Sequence, residues 1–367
     1  MVEQLAELVT SESPSADKGA CLACARQVAE LGTGLLGTPP ELLSLDGRPH
    51  LRWVLGTRSP RVVLIGHLDT VWPLGTVERW PFTVTDGIAT GPGTFDMKAG
   101  IVQVLHALSV IGDPDGVALL VTSDEELGSP TSRALVEETA RGARAALVLE
   151  PAAGRAIKVA RKGTSMYQLS VKGRAAHAGS PERGINATEE LAHLILAVAA
   201  VGRPERGTTV TPTVVGAGTT TNTVPEQAEL HVDVRAATRE EQARVDADVR
   251  ALSPVLRGAV VSVAGGPNRP PLPATASTEL MERARRAAAD LGLGALDGVT
   301  VGGASDGNFT AELGVPTLDG LGAVGANAHA ERERIEVAAM AERAALVAAL
   351  VEDLLSEIPP PARDRAG

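Results

Sequence analysis

Three short apolar runs that each end in a histidine or a carboxylate constrain this chain more than any other feature. Arg61-Val-Val-Leu-Ile-Gly66 runs into His67, with Asp69 two residues on. Val117-Ala-Leu-Leu-Val-Thr122 runs into Asp124-Glu125-Glu126, and Ala145-Ala-Leu-Val-Leu149 runs into Glu150. Continuous runs of Val, Leu and Ile at this length read as strands buried on both faces. Ligands of open α/β sheets sit beyond the carboxyl ends of the strands. The three runs therefore deliver a histidine and several carboxylates to one edge of one sheet. Asp96 joins them as a fourth candidate, at the start of the helical stretch Met97 to Leu108.

Each candidate has a plainer alternative. His67 and Asp69 fall on one face if the strand continues through both, which suits a metal-bound imidazole oriented by a carboxylate. Asp96 equally suits a helix N-cap. The Asp124-Glu125-Glu126 triplet either lies in water or needs nearby cations to stay ionised. Neighbouring side chains at a strand end diverge, which leaves Glu125 free to face a substrate while Glu126 faces a metal. Glu150 precedes Pro151, and a lone carboxylate buried there is costly without a cation. His329 lies in the small-residue segment Gly325-Ala-Asn-Ala-His-Ala330, read as a flexible loop.

The bulk properties narrow the class. At 367 residues, two domains are favoured over one. The net charge of −11 argues against nucleic acid and anionic membranes as partners. No apolar stretch approaches the ~18 residues of a membrane span. The N-terminus, Met1-Val-Glu-Gln-Leu-Ala-Glu-Leu8, reads as a helix start and not as a signal peptide, so a cytoplasmic location is the simplest expectation. Cys21 and Cys24 share a C-x-x-C spacing, but they sit in the helical stretch Lys18 to Leu31 with no further cysteine. Packing on a helix face explains them better than redox or zinc chemistry.

Up to about residue 160, strands alternate with helices, as in a mostly parallel α/β sheet. The pattern then changes. Met166–Lys172, Thr208–Val215, Gln227–Arg235 and Ala259–Val263 read as strands, and Asn186–Val201 and Thr238–Leu252 as helices, the second with Asp246 and Asp248 outward. This is the β-α-β-β-α-β order of a split, ferredoxin-like α+β unit. Domain limits follow: 1–163 with 271–367 for the first domain, and 164–270 for the insertion. The Pro-rich stretch Pro267 to Pro273 marks the return. A helix is expected over Thr278–Leu291, a short strand over Val315–Leu318 and a closing helix over 336–358. Residues 359–367 read as a frayed tail.

Taken in order, these segments resemble the M20 metallopeptidases, especially the glutamate carboxypeptidase branch and its aminoacylase and succinyl-diaminopimelate desuccinylase relatives. The motifs are Gly66-His-Leu-Asp-Thr-Val71, Gly91-Pro-Gly-Thr-Phe-Asp-Met-Lys-Ala-Gly100, Ser123-Asp-Glu-Glu-Leu-Gly128 and Glu150-Pro151. Arg174-Ala-Ala-His-Ala-Gly179, Asn222-Thr-Val-Pro225 and His329 complete the set, which spans nearly the whole chain.

The resemblance implies a two-zinc site. His67 and Glu150 would bind one metal, Glu126 and His329 the other, and Asp96 both. Asp69 would orient His67. Two zinc ions about 3.5–4 Å apart share a water and lower its pKa; cobalt or manganese would fit the same donors. Glu125 would be the general base. A cis Asp96–Met97 peptide is also implied. The inserted domain would serve as lid and homodimer interface, with His177 reaching the neighbouring subunit's site to stabilise the oxyanion. Asn222 would lie near the substrate, and the fork of Arg269 would clamp its carboxylate. The expected activity is hydrolysis of an amide in a small peptide or N-acyl amino acid with a free carboxylate. The rival readings are a biosynthetic N-acyl amino acid deacylase and a non-catalytic metal-binding protein.

Overall fold

The computed structural model describes residues 1–356. The expected end of the closing helix at Ile358 and the frayed tail lie outside the described residues. The described chain divides into two compact units. The first comprises residues 1–160, 274–300 and 305 onward, and the second residues 161–273 and 301–304.

The first unit is a mixed α/β fold around a parallel-rich, six-stranded sheet. The strand order is Glu41–Leu45, Arg48–Leu55, Val117–Thr122, Val62–His67, Ala145–Val148 and Thr317–Leu318. The three apolar runs occupy adjacent central positions and pair in parallel, with His67 opposite Thr122 and Ile65 opposite both Leu120 and Val148. Every residue of these three strands is buried. Each fully buried Leu, Ile or Val contributes about 1.5–3 kcal/mol relative to exposure, which is why the runs carry no polar alternation. Thr317–Leu318 adds a further parallel strand beside Ala146 and Leu147. The other edge is an antiparallel hairpin, Glu41–Leu45 with Arg48–Leu55, turning at Asp46-Gly47 with both residues at positive φ. Its strands carry Arg, Ser and His among their apolar residues, so they lack the continuous signature of the central three.

Helices cover the sheet. Ala99–Ser109 packs against the closing helix Val337–Ser356 and against Lys18–Leu36. The last of these is capped by Asp17, whose side chain accepts from Gly19 and Ala20 N–H, and ends at Gly37 in the left-handed region. It extends five residues past the expected Leu31, because Gly32 and Gly34 do not break it. Cys21 and Cys24 are free thiols, fully buried on its inner face.

The second unit contains a four-stranded antiparallel sheet in the order Thr209–Ala217, Gln227–Ala236, Gly163–Lys172, Val260–Arg269. Helices Ala187–Ala199 and Arg239–Arg250 pack on it. Tyr167, Leu169, Leu230, Val232 and Val234 from the sheet meet Leu191, Leu194, Val198, Val245 and Val249 from the helices. Two expectations change here. Asp246 does not point away: its carboxylate accepts the Tyr167 hydroxyl at 3.0 Å and Arg250 from the next turn. The last strand runs to Arg269, not Val263, so Arg269 stands on a strand and not in a Pro-rich linker. This strand is a sheet edge, where Pro267 costs no ladder bond, and the register shifts between Pro267 and Arg269.

Candidate metal centre

The carboxyl ends of the central strands converge as their sequence suggests. His67 is the last residue of its strand and 2% exposed. Its Nε2 lies 3.3 Å from Asp96 Oδ1 and 3.4 Å from Glu150 Oε1. Asp96 turns its other oxygen, Oδ2, to His329 Nε2 at 3.3 Å, and His329 Nε2 is also 3.1 Å from Glu126 Oε1. One carboxylate thus faces two histidines, each with a second carboxylate of its own. Glu125 is buried beside this cluster, within ligand reach of His67 and Glu150.

Local structure explains each placement. Asp96 is not the N-cap of the following helix, since its φ/ψ of −117°/95° are non-helical and it sits in the irregular turn Thr94–Lys98. The Asp96–Met97 peptide is cis. Glu150 follows Leu149, whose carbonyl is hemmed in by two glycines. A Cβ on Gly100 would sit 2.4 Å from Leu149 O, and one on Gly322 would sit 2.1 Å from it. Glu125 and Glu126 share a short 3-10 turn that Gly128 closes at φ 86°. His329 itself adopts φ 61°, in a turn where the Asn327 side-chain amide donates to Arg332 O at 3.0 Å. The loop around it is short and flanked by two paired strands, Gly325–Ala326 and Arg334–Glu336.

Asp69 touches both His67 and the turn after the neighbouring strand. Its backbone carbonyl is the nearest partner of His67 Nδ1, at 3.0 Å, and its carboxylate stands 3.5 Å away. That carboxylate accepts from Glu125 N–H and Glu126 N–H, each at 3.3 Å, so it anchors the turn bearing both. Asp124 turns inward, away from the cluster. It accepts from Thr131 N–H at 2.7 Å and from the Thr131 and Ser132 hydroxyls. His50 is on the strand Arg48–Leu55, and its Nε2 is 3.0 Å from Thr131 Oγ1.

The electrostatics call for positive charge. Burial alone would lower the His67 imidazole, but Asp69, Asp96 and Glu150 outweigh it and hold the ring well above its ordinary value. The Asp96 and Glu126 carboxylates push His329 up to about 10. Burial would raise Asp96, yet His329 and His67 hold it far below the usual carboxylate range. Burial raises Glu126 despite its contact with His329. His67 Nε2 and Asp96 Oδ1 are buried, face each other, and make no hydrogen bond of acceptable geometry. A cation held between them would satisfy both. The mixed imidazole and carboxylate donors suit a divalent transition metal.

The remaining expected residues belong to the second unit. His177 is exposed, and its Nδ1 accepts from Gly179 N–H at 3.0 Å. Asn222 is next to it: its carbonyl accepts from Ala178 N–H at 2.9 Å. Arg269 is 6% exposed, opposite Thr164 in the sheet.

One residue at the cluster escaped sequence reasoning. Glu333 is fully buried, and its carboxylate accepts from Phe95 and Asp96 N–H through Oε1 and from Gly93 N–H and Trp72 Nε1–H through Oε2. It sits in the charged run Glu331-Arg-Glu-Arg334, where nothing distinguishes it from a solvated glutamate. The only hint was the Gly91–Asp96 loop, whose N–H groups need an acceptor.

With this geometry in hand, the comparisons with known proteins are decisive. Residues 63–353 match the model of peptidase family M20/M25/M40. The chain belongs to this family. It is 30% identical to carboxypeptidase G2 of Pseudomonas sp. (strain RS-16) over 82% of this chain and 75% of that protein. It is 31% identical to the succinyl-diaminopimelate desuccinylase of Acidovorax ebreus (strain TPSY), over 90% of this chain and 92% of that protein. The M20 family metallo-carboxypeptidase Sso-CP2 from Sulfolobus solfataricus shares the fold, with a TM-score of 0.79, 16% identity and coverage of 95% and 98% of the two chains. Membership makes this M20 protein a metal-dependent hydrolase that uses divalent ions. Among the described residues, no helix is long and apolar enough to cross a membrane.

Proposed function

We propose that this M20 protein is a two-metal carboxypeptidase-type amidohydrolase. Its substrates are small peptides or N-acyl amino acids with a free carboxylate. The observation that carries the reading is Asp96, which offers one oxygen to the His67–Glu150 side and the other to the His329–Glu126 side. His67, Asp96 and Glu150 would hold one ion, and His329, Asp96 and Glu126 the second. Zinc fits these donors best, and cobalt or manganese can substitute. When bound, such ions polarise the scissile carbonyl and lower the pKa of a water toward ~7.

The chain's own residues supply the rest. Glu125 takes a proton from the attacking water as the new C–O bond forms. It then delivers that proton to the amide nitrogen as the C–N bond breaks, releasing an amine and a carboxylate. Asp69 keeps the Glu125–Glu126 turn in place through its two backbone N–H bonds. Asn222 and Arg269 are assigned to substrate binding, with the Arg269 fork matched to a carboxylate. The inserted unit is assigned as lid and homodimer interface, and His177 as the oxyanion donor supplied across the dimer.

A second reading within the same chemistry is an N-acyl amino acid deacylase. The desuccinylase likeness, which spans 90% of this chain, favours it as much as the carboxypeptidase likeness favours the first. Both readings share every residue named above. Amine release from a panel of N-acyl amino acids and dipeptides, with and without added Zn²⁺, decides between them. Turnover of dipeptides or N-acyl glutamate points to a carboxypeptidase, and turnover confined to N-succinyl substrates points to a deacylase. Metal uptake with no turnover on any member of the panel would refute both.

A further inference from the structure

The Glu333 carboxylate joins two segments that are far apart in sequence. One is the Gly91–Lys98 loop, which carries Asp96. The other is the turn that carries His329, four residues before Glu333. On the second side, Glu333 N–H donates to Ala330 O at 2.8 Å and Ala330 N–H to Asn327 O at 3.1 Å, so the backbone from Asn327 to Glu333 closes on itself. On the first side, the carboxylate receives three backbone N–H groups from Gly93, Phe95 and Asp96 at 3.2, 2.7 and 2.9 Å. The Trp72 indole adds a fourth donor at 2.9 Å. The ring of Trp72 is itself fixed by an edge-to-face contact with Trp80.

His329 is 51% exposed and stands on a turn, whereas His67 is held by a fully buried strand. The His329 side of the cluster therefore depends on a tether, and Glu333 is the group placed to supply one. We infer that Glu333 is the positioning residue that fixes His329 against Asp96 and so sets the geometry of the second metal position. The inference rests on the two-metal reading given above.

The donor pattern makes the substitution sharp. Each Glu333 oxygen accepts two N–H groups, so no flip of a glutamine side chain escapes the conflict. Whichever end the NH2 takes, two hydrogen bonds are lost and N–H groups face N–H groups. Partners that orient ligands in this way typically affect metal affinity by about 10–100-fold.

The test is Co²⁺ titration of the metal-free full chain, followed by visible absorption, for wild type, Glu333→Gln and Glu333→Asp, with circular dichroism as the folding control. Wild type should take up two equivalents. Glu333→Gln should bind the first within about threefold of wild type and the second about 10–100-fold more weakly, with an altered absorption band for that ion alone. Glu333→Asp keeps the charge but withdraws it by one methylene, and should show the same selective weakening. A general loss of packing would weaken both equivalents together. Two equivalents at wild-type affinity in both variants would overturn the role of Glu333 alone. Fewer than two in wild type would overturn the two-metal reading and the inference with it. If neither variant folds, Glu333 is a folding determinant and the inference falls.

Discussion

Glu125→Gln separates the proposed base from the proposed ligands. The two proposed ligand sets, His67 with Asp96 and Glu150 and His329 with Asp96 and Glu126, do not call on the Glu125 side chain. Glutamine matches glutamate in size. The turn that holds residue 125 is made of backbone bonds, Leu127 N–H to Asp124 O and Gly128 N–H to Glu125 O, plus the bond from its own N–H to Asp69. All of these survive the change. Metal content should therefore stay at the wild-type value. What disappears is the proton acceptor, a step that contributes roughly 10²–10⁴-fold to rate, or about 2.7–5.4 kcal/mol of barrier. The loss should fall on kcat, with KM within a few-fold of wild type. Steady-state kinetics on the best substrate of the panel, with metal analysis of the same samples, reads both quantities. Glu125 also lies within ligand reach of His67 and Glu150. Loss of one metal equivalent in Glu125→Gln would show that it is a ligand, and retained kcat would show that another group takes the proton.

Three further outcomes follow from the same structure. Arg269→Lys keeps the charge but loses the planar fork, so KM for substrates with a free carboxylate should rise about tenfold or more while kcat changes little; an unchanged KM removes Arg269 from substrate binding. Cys21 and Cys24 are fully buried, and burial pushes the Cys21 thiol up to about 12. Neither should react with a thiol reagent at pH 8 until denaturant is added, and fast labelling of the native protein would contradict the burial. In the second unit, Arg244, with Thr208 and Arg206, holds Glu241 at about 2 in place of its ordinary 4.5. A folded-state value below the unfolded one stabilises above pH 4.5 and is lost as pH falls toward 2. Thermal melts of Glu241→Gln should accordingly fall less steeply than wild type across that interval, and parallel curves would show that the pairing carries no stability.

Sequence reasoning located the central sheet because its strands are buried on both faces and must be apolar throughout. It missed the antiparallel edge hairpin for the complementary reason. Arg48, Arg52 and Ser44 interrupt the apolar pattern on strands that need to bury only part of their surface. The long edge strand runs on to Arg269, past the expected Val263, because the Pro-rich stretch from Pro267 reads as a return loop, whereas a proline at a sheet edge costs little. The cluster was legible through residues at the ends of apolar runs. Asp124 shows the limit of that logic: it shares the triplet with Glu125 and Glu126, but only folding reveals the waiting hydroxyls of Thr131 and Ser132. Glu333 lay beyond reach because three of its four partners are backbone N–H groups some 240 positions earlier, and a backbone donor has no letter in a sequence.

Gly100 and Gly322 close in on the carbonyl of Leu149 from separate parts of the chain. A glycine inside a helix, such as Gly100, ordinarily invites replacement, since alanine there gains up to ~1 kcal/mol. Here the added methyl would meet backbone that cannot swing aside, and the strand end bearing Glu150 would have to move. A screen for inactive variants should thus score hits at two positions without side chains, as readily as at the charged residues they serve. Chemical inertness at those sites is a matter of clearance, and a consensus-stabilisation scheme that swaps helical glycine for alanine would disarm the enzyme while improving its helix.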